Sequence, residues 1–417
     1  MRTGIQLFPT TGFRRLAKRR QNPENRKQKW CETEASKTGS LFLRSNDKNG
    51  GVRIRQSANF LRRSQIHAFS FVFTGFVGAQ TAFGETNASP ERIEWPVMST
   101  IAAVSTPVAH AADLPALRDL AQPALSNIEH EFSIFIPDSD LSRVNTVAGN
   151  GEFVAIAPEV AHVLRTALRL SRDSGGVFDP TIGPLMKAWG FRGGKAQQEP
   201  TVAELAQARA LVGWTNMLWD ATNSNHVRLA LAGMRLDLGG IAKGYAVDVA
   251  YERLLATGAR DFLVDLGGNL RVHGESAPGR GGWRTGVRNP FDLSEITGMI
   301  LLTNGESVAT SGNYERFVEM GGHHYAHIMD PRTGKPAEGV AGVTVLAPSG
   351  IQCDGLSATL FILGPEAGQK FLTRFRPECE ALWIPDAQPL RMFATPGFAR
   401  RFHPLPEYQN AVTVLKP

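Results

Sequence analysis

The chain has 417 residues, of which 42% are hydrophobic and 20% are charged, which suits a globular protein and excludes a collagen-like or wholly disordered chain. Its net charge of +6 is unevenly spread, because the first 66 residues hold 16 of the 45 Lys and Arg but only 4 of the 39 Asp and Glu. The remaining chain holds 29 basic and 35 acidic residues and is mildly acidic. This balance argues against a nucleic-acid partner, since such binding depends on Lys and Arg at the phosphates.

The first 90 residues are interpreted as a basic leader outside the folded domain, which we place at residues 91–417. Within the leader, residues 62–84 resemble an export signal, because Arg62 and Arg63 precede an apolar run at 68–83 with small residues late in it. The run is too short to cross a bilayer permanently, so we expect an exported, periplasmic protein. The alternative is a basic tail followed by an ordinary apolar segment.

The rest of the chain mixes helical and strand patterns. Apolar residues at helical spacing predict helices at residues 114–132, 158–174, 201–212, 241–256 and 355–363. Short apolar runs predict strands at residues 227–232, 235–238, 262–266, 343–347 and 381–384. Because these elements do not alternate regularly, we predict an α+β fold with a mixed sheet and flanking helices, and an α/β fold with a mixed sheet is the alternative.

Two glycine-punctuated segments contain polar residues suited to binding a ligand. In the first, 176–184, Asp179 precedes a proline and either forms a turn or accepts hydrogen bonds from a ligand. The second, 235–244, leads from Asp237 through paired glycines into a helix, whose first N–H groups favour a phosphate. Lys243 would add positive charge there. The alternative for this segment is a closely packed glycine pair beside a solvated lysine.

Two later segments contain residues suited to proton transfer and metal binding. In residues 324–336, His327 could act as a base or contact a phosphate, although a single histidine is often structural. Asp330 follows in the same segment. In residues 353–360, Asp354 precedes an apolar helix and either caps it or offers a hard oxygen ligand to Mg²⁺.

Taken together and in this order, the segments resemble the ApbE family, whose members move FMN from FAD onto a protein. The resemblance runs from about residue 96 to about residue 384. It is carried by VMST at 97–100, FSIF at 132–135 with DSDLSRVN at 138–145, GVFDPTIGPL at 176–185, DLGGIAKGY at 237–245, DLGGN at 265–269, TSGNYER at 310–316, the segment 327–334 with its His-x5-Thr-Gly spacing, and 354–364.

The resemblance implies a mixed α+β fold with the flavin bound between subdomains. It assigns the ring pockets to Met98, Phe135 and Ile328, the flavin or adenine ends of FAD to Phe178, Asp179 and Asp237, the neighbourhood of the diphosphate to Lys243, His327 and Asp330, and Mg²⁺ to the Gly240 carbonyl, Asp354, Ser357 and the next position, Ala358. The family has a hydroxyl where this chain has Ala358. Ser357 or a water is expected to replace it.

The activity implied by the resemblance is that of a Mg²⁺-dependent FAD:protein FMN transferase. It would attach FMN to a threonine or serine hydroxyl of a target flavoprotein and release AMP, and the acceptor could belong to a membrane-associated complex. His327 is the first candidate for the base that accepts the hydroxyl proton, and Asp330 is the second. The alternatives are a flavin-donating assembly factor for a periplasmic redox enzyme, such as one for nitrous-oxide reductase maturation, and an FAD pyrophosphatase.

Overall fold

The structure, a computed structural model, describes residues 31–32, 42–46, 52–56, 89–192 and 198–416. The chain divides into two units, Met1–His67 and Ala68–Pro417. In the first unit, the described strands pair into an antiparallel sheet in the order β1 (Cys31–Glu32), β2 (Phe42–Asn46) and β3 (Val52–Gln56). The export-signal-like segment predicted at residues 62–84 lies outside the described residues.

The second unit contains both helices and strands. Its α-helices are α1 (Leu114–Phe132), α2 (Asp140–Thr146), α3 (Pro158–Asp173), α4 (Gly183–Ala188), α5 (Val202–Ala210), α6 (Ala242–Ala256), α7 (Gly350–Phe375) and α8 (Pro396–Arg401). Its strands are β4 (Glu91–Val97), β5 (Thr100–Thr106), β6 (Val154–Ala155), β7 (Met217–Trp219), β8 (His226–Leu229), β9 (Phe262–Leu266), β10 (Asn269–His273), β11 (Trp283–Asn289), β12 (Asp292–Leu302), β13 (Ser307–Gly312), β14 (Phe317–Met320), β15 (His323–Ala326), β16 (Met329–Asp330), β17 (Lys335–Pro336), β18 (Val340–Ala347), β19 (Glu380–Pro385), β20 (Met392–Ala394), β21 (Phe402–Pro404) and β22 (Val412–Val414).

A nine-stranded sheet organises this unit, in the order β22-β20-β19-β18-β13-β10-β9-β5-β4. Its neighbours pair antiparallel except β20 and β22, so the predicted mixed sheet is confirmed. Successive side chains of a strand point to opposite faces. In β9, Phe262 and Val264 join the core formed with α1, α6 and α7, whereas Leu263 joins a second core formed with β11, β12 and α8. Among the described helices, none is both long and apolar enough to traverse a bilayer.

Two continuous apolar patterns correctly predicted where their helix and strand begin and end. The helix predicted at 114–132 is α1 and the strand predicted at 262–266 is β9. The helix predicted at 355–363 is wrong in its bounds, because α7 begins at Gly350 and continues to Phe375, with one non-helical residue, Gly364, at φ 71°. The glycines early in α7, Gly350 and Gly355, allow close packing against neighbouring segments.

The strand predicted at 235–238 is wrong. Arg235 forms a single isolated bridge with Ile182, and the Asp237 N–H donates to the Pro180 carbonyl at 2.8 Å. The segment therefore pairs with the loop at 176–184 and not with a sheet. This pairing brings two of the predicted site segments side by side.

Candidate active site

Helices α6 and α7 begin next to each other and form the floor of the candidate site. Their backbones touch at Gly244 and Gly350, where a Cβ added to either residue would overlap the carbonyl oxygen of the other. A Cβ at Gly244 would also lie 2.6 Å from the Cβ of Asp354. Only glycine allows this approach, which places the first turn of α6 beside Asp354.

The Asp354 carboxylate is held by the start of α6. Its Oδ1 accepts a hydrogen bond from Lys243 Nζ at 3.1 Å, and its Oδ2 accepts one from the Gly244 N–H at 2.9 Å. Asp354 is buried, whereas the Lys243 side chain is a quarter exposed. The positive end of a helix dipole and a lysine favour negative charge at the same point. The pair therefore combines a fixed carboxylate with a partly accessible cation.

Ser357 continues this surface one turn further along α7. Its hydroxyl donates to the Asp354 carbonyl at 2.8 Å and lies 2.8 Å from the hydroxyl of Ser311 on β13. Because a hydroxyl has a single proton, Ser311 must be the donor in the second bond. Ser357 is almost fully buried, so its hydroxyl ties α7 to the sheet. Its predicted role as a metal ligand stays a prediction.

Gly240, Ala358 and Phe178 meet beside this pair, although they come from three different segments. A Cβ added at Gly240 would stand 3.9 Å from the Cβ of Ala358 and 3.5 Å from the ring of Phe178. The structure thus brings together the first, second and fourth of the predicted segments. Ala358 offers no side-chain oxygen at this place.

Asp237 is held by Arg192, a residue that the sequence analysis missed. Arg192 Nε donates to Oδ2 at 2.5 Å and Nη2 donates to Oδ1 at 3.3 Å, while the Gly239 N–H also donates to Oδ1 at 2.9 Å. Both side chains are mostly buried, with 18% of Arg192 and 6% of Asp237 exposed. No motif marks Arg192 in the sequence, because its partner lies in another segment.

His327 is fixed by the backbone of Arg316. Its N–H donates to the Arg316 carbonyl at 3.0 Å, and its ring Nδ1 lies 3.0 Å from the same oxygen. Because that oxygen only accepts, Nδ1 carries the ring proton and Nε2 presents its lone pair. Burial and the positive charges of Arg316, Lys243 and Arg192 lower the pKa of His327 to about 3. At neutral pH the ring is therefore an uncharged acceptor close to three cations.

A strained turn adjoins this cluster. Met98 and Ser99 connect β4 to β5 with φ angles of 52° and 56°, which cost non-glycine residues about 1 kcal/mol or more each. The Met98 N–H donates to Glu129 Oε1 at 2.9 Å, and Arg316 Nη2 donates to the Ser99 carbonyl at 3.3 Å. The turn therefore lies against the Arg316 side of the site. Contact of Met98 with a flavin stays a prediction.

Two predicted carboxylates have protein partners that occupy them. Asp179 accepts from the Thr181 N–H at 2.8 Å and from the Trp214 N–H at 3.0 Å, as expected of a turn former. Asp330 receives Nε of Arg332 at 2.9 Å and Nη2 of Arg332 at 2.8 Å. Both carboxylates organise their own loops. Their assigned roles, ligand binding for Asp179 and catalysis for Asp330, stay predictions.

Three apolar residues predicted to bind FAD differ in exposure. Ile328 and Phe178 are buried in the main core, with 6% and 9% of each residue exposed. Phe135, in contrast, is 70% exposed, in a loop whose backbone is held by the hydroxyl of Ser133. An exposed aromatic ring is available for stacking on a planar ligand.

The oxygen atoms available near Asp354 could hold Mg²⁺ only as a sparse site, that is, one with few protein ligands. Among the described residues, no group of three His, Cys, Asp or Glu side chains is placed to hold a metal ion. Mg²⁺ usually takes one or two carboxylates together with water and substrate phosphates. Asp354, with the neighbouring Gly240 backbone, fits that pattern. Ala358 contributes no hydroxyl to it.

The positive charges of Lys243, Arg192 and Arg316 around His327 suit this site to an anionic ligand. The chain belongs to the ApbE family, because its residues 98–383 match the model of that family. This confirms the family and the α+β fold predicted from the sequence.

This chain is similar to proteins named as FMN or flavin transferases. The FAD:protein FMN transferase of Haemophilus influenzae is 34% identical over 247 residues, which are 58% of this chain and 71% of that protein. The FAD:protein FMN transferase of Treponema pallidum is 34% identical over 303 residues, or 70% of this chain and 82% of that protein. The apo crystal structure of Pseudomonas stutzeri flavinyl transferase ApbE is 30% identical with a TM-score of 0.65, covering 75% of this chain and 96% of that one. The flavin transferase ApbE from Vibrio cholerae is 28% identical with a TM-score of 0.66, covering 75% and 99%.

Proposed function

We propose that this chain is a Mg²⁺-dependent FAD:protein FMN transferase, which moves FMN from FAD to a threonine or serine hydroxyl of a target flavoprotein and releases AMP. The observation that carries the proposal is the Lys243–Asp354 pair at the start of α6, next to neutral His327. The names of the relatives support FAD as substrate and a protein as acceptor.

The electrostatics of the site suit a diphosphate. Transfer of a phosphoryl group develops negative charge on the leaving phosphate and on the transferred group. Lys243 and the two arginines near His327, Arg192 and Arg316, supply positive charge where the diphosphate would lie. When bound, Mg²⁺ would supply further neutralisation of that charge, and Asp354 and the Gly240 carbonyl are the residues that would hold it.

In this proposal His327 would receive the proton of the incoming hydroxyl. In the protein without substrate its pKa is about 3, which makes the ring a weak base. A bound diphosphate would raise the pKa of His327, because nearby negative charge favours the imidazolium. The base would therefore become effective only when the substrate is in place. Its Nδ1–H bond to the Arg316 carbonyl keeps Nε2 directed away from that backbone.

We also propose that the protein is exported and acts in the periplasm, where its acceptor could belong to a membrane-associated complex. The support for this is the basic leader and the export-signal-like segment at residues 62–84.

The test uses the full chain with FAD and Mg²⁺, with and without a protein domain that carries an acceptor threonine. AMP release and flavin fluorescence of the acceptor after denaturing electrophoresis are measured. We expect both signals, and Asp354→Ala should abolish both. Glu366→Ala, an exposed change on the same helix, should leave both unchanged.

Other outcomes distinguish the alternatives. AMP without acceptor labelling would favour an FAD pyrophosphatase. Tight FAD binding without AMP release would contradict the transferase and favour a flavin-donating assembly factor. Ala358, which removes a hydroxyl from the expected metal shell, is the observation that favours this second candidate.

A further inference from the structure

Asp248 lies on α6 one turn beyond Gly244, and its carboxylate reaches the start of α7. Its Oδ1 accepts the Gly350 N–H at 2.6 Å, and its Oδ2 accepts the Ile351 N–H at 2.9 Å. These are orphan donors of the first turn, which a local side chain often satisfies. Ser349, at the N-cap position of α7, makes no such bond. Asp248 therefore caps α7 from 102 residues away in the chain.

Asp354 makes the equivalent contact in the opposite direction. It belongs to α7 and accepts the Gly244 N–H in the first turn of α6. Each helix start is thus capped by a carboxylate of the other helix, on either side of the Gly244–Gly350 contact. The two caps and the glycine contact together fix the register of α7 on α6, which is the position of one helix along the axis of the other. The distance from Asp354 to Lys243 depends on this register.

Arg271 of β10 holds the Asp248 carboxylate through a hydrogen bond. Its Nη1 donates to Asp248 Oδ1 at 3.0 Å and to Glu252 Oε1 at 3.2 Å, and its guanidinium lies 4.0 Å from the ring centre of Tyr251. Asp248 and Arg271 are each 13% exposed, whereas Glu252 is 60% exposed. The buried bond restrains the cap, whereas the bond to Glu252 lies at the surface, and no hydrogen bond among the described residues joins Glu252 to α7.

We infer that Asp248, held by Arg271, is a positioning residue for the transfer site, because it sets the register of α7 on α6 and thereby places Asp354 beside Lys243. The inference rests on the proposed function. Asp248 itself touches neither Lys243 nor Asp354 through any hydrogen bond among the described residues, and acts through the backbone of α7.

The test compares Asp248→Asn with the matched control Glu252→Gln in the full chain. Asparagine keeps the size of the side chain but turns an NH₂ group toward one of the two α7 donors, so the first turn of α7 should shift. We expect Asp248→Asn to raise the Mg²⁺ concentration for half-maximal AMP release about tenfold or more, as loss of residues that orient metal ligands does. Glu252→Gln should behave as the wild type, although it also removes a carboxylate partner of Arg271.

A merely structural role would give a different result. It would reduce the amount of active protein equally at every Mg²⁺ concentration and leave the half-saturating concentration unchanged, which would overturn the inference. An equal shift in Glu252→Gln would overturn it as well. Hydrogen exchange supplies a second measurement, in which Asp248→Asn should speed exchange of the amides at 350 and 351 more than elsewhere in α7.

Direct metal binding separates this inference from the proposed function. Binding of Mn²⁺ to the full chain in the presence of ADP is measured by electron paramagnetic resonance, without any turnover. Weaker Mn²⁺ binding in Asp248→Asn than in the wild type supports the inference. Equal results in the two proteins, including no binding by either, overturn it. Absence of AMP release from the wild type would overturn the proposed function alone.

Discussion

Arg192 and Asp237 form a mostly buried ion pair directly beside the glycines that precede α6. Two hydrogen bonds join them, at 2.5 and 3.3 Å, and Arg192 Nη2 would lie 2.8 Å from a Cβ on Gly239. The guanidinium therefore fills the space that a side chain at position 239 would need. The pair links the end of the α4 segment to the loop that enters α6.

Loss of this pair should destabilise the protein. Arg192→Leu leaves the Asp237 carboxylate with the Gly239 N–H as its one remaining donor among the described residues, so we expect the free energy of unfolding to fall by about 2 kcal/mol. Adding Asp237→Asn to this variant should restore part of the loss, because the unpaired charge is removed. Urea denaturation of the two variants and the wild type checks this. An Arg192→Leu variant as stable as the wild type would contradict it.

His327 should make stability depend on pH. Its pKa is about 3 in the folded protein, below the ordinary 6.5, because of burial and the neighbouring cations. Between these two values the unfolded chain binds a proton that the folded protein does not, so His327 lowers stability as the pH falls from about 6.5 toward 3. His327→Gln removes this effect.

The measurement is urea denaturation of the wild type and His327→Gln at several pH values. Relative to His327→Gln, the wild type should lose stability on acidification from neutral pH. If the free energies of unfolding of the two proteins differ by the same amount at every pH between 7 and 4, the prediction is wrong and the ring titrates normally.

Ala358 offers a direct test of the sparse metal site. Thr and Val have nearly the same shape, so Ala358→Thr and Ala358→Val differ in little more than a hydroxyl facing the Gly240 backbone. If that hydroxyl joins the metal shell, a gain of about 1 kcal/mol should lower the half-saturating Mg²⁺ concentration about fivefold in the Thr variant relative to the Val variant. AMP release across a Mg²⁺ titration measures this, and equal values would place position 358 outside the shell.

The helix contact at Gly244 should not tolerate a methyl group. Gly244→Ala would force overlap with the Gly350 carbonyl, so we expect a loss of about 3 kcal/mol or more in unfolding free energy and loss of AMP release. Gly342→Ala is the control, since a Cβ there would find its nearest neighbour, the Ser311 carbonyl oxygen, at 3.9 Å. Thermal unfolding compares the two variants, and similar melting temperatures for Gly244→Ala and Gly342→Ala would refute the prediction.

The sequence predicted segments that the structure brings together, whereas the roles assigned to their residues stay predictions. Lys243, Asp354 and Gly240 were recognisable because their segments are punctuated by glycines that permit backbone contact. Asp330 also stood out, yet its carboxylate is occupied by Arg332, since an aspartate before proline readily organises a turn. Local patterns do not distinguish a carboxylate that binds a ligand from one that shapes a loop.

Residues that act across the fold gave no local signal. Asp248 lies in an ordinary helix with no motif around it, and its importance comes from α7, which follows about 100 residues later. Arg192 likewise meets Asp237 only after folding. The strand predicted at 235–238 failed for a related reason, because its extended backbone pairs with a loop in place of a sheet.

The contact of α6 with α7 at Gly244 and Gly350 also has a consequence for motion. With no side chain between the two backbones the helices lie in close contact, and rotation or sliding of either helix would break the two carboxylate caps that join them. The side of the site that holds Lys243 and Asp354 is therefore rigid. We expect any opening needed for entry of a large dinucleotide away from this contact, where the Arg316 side chain reaches the Ser99 carbonyl through one hydrogen bond at 3.3 Å.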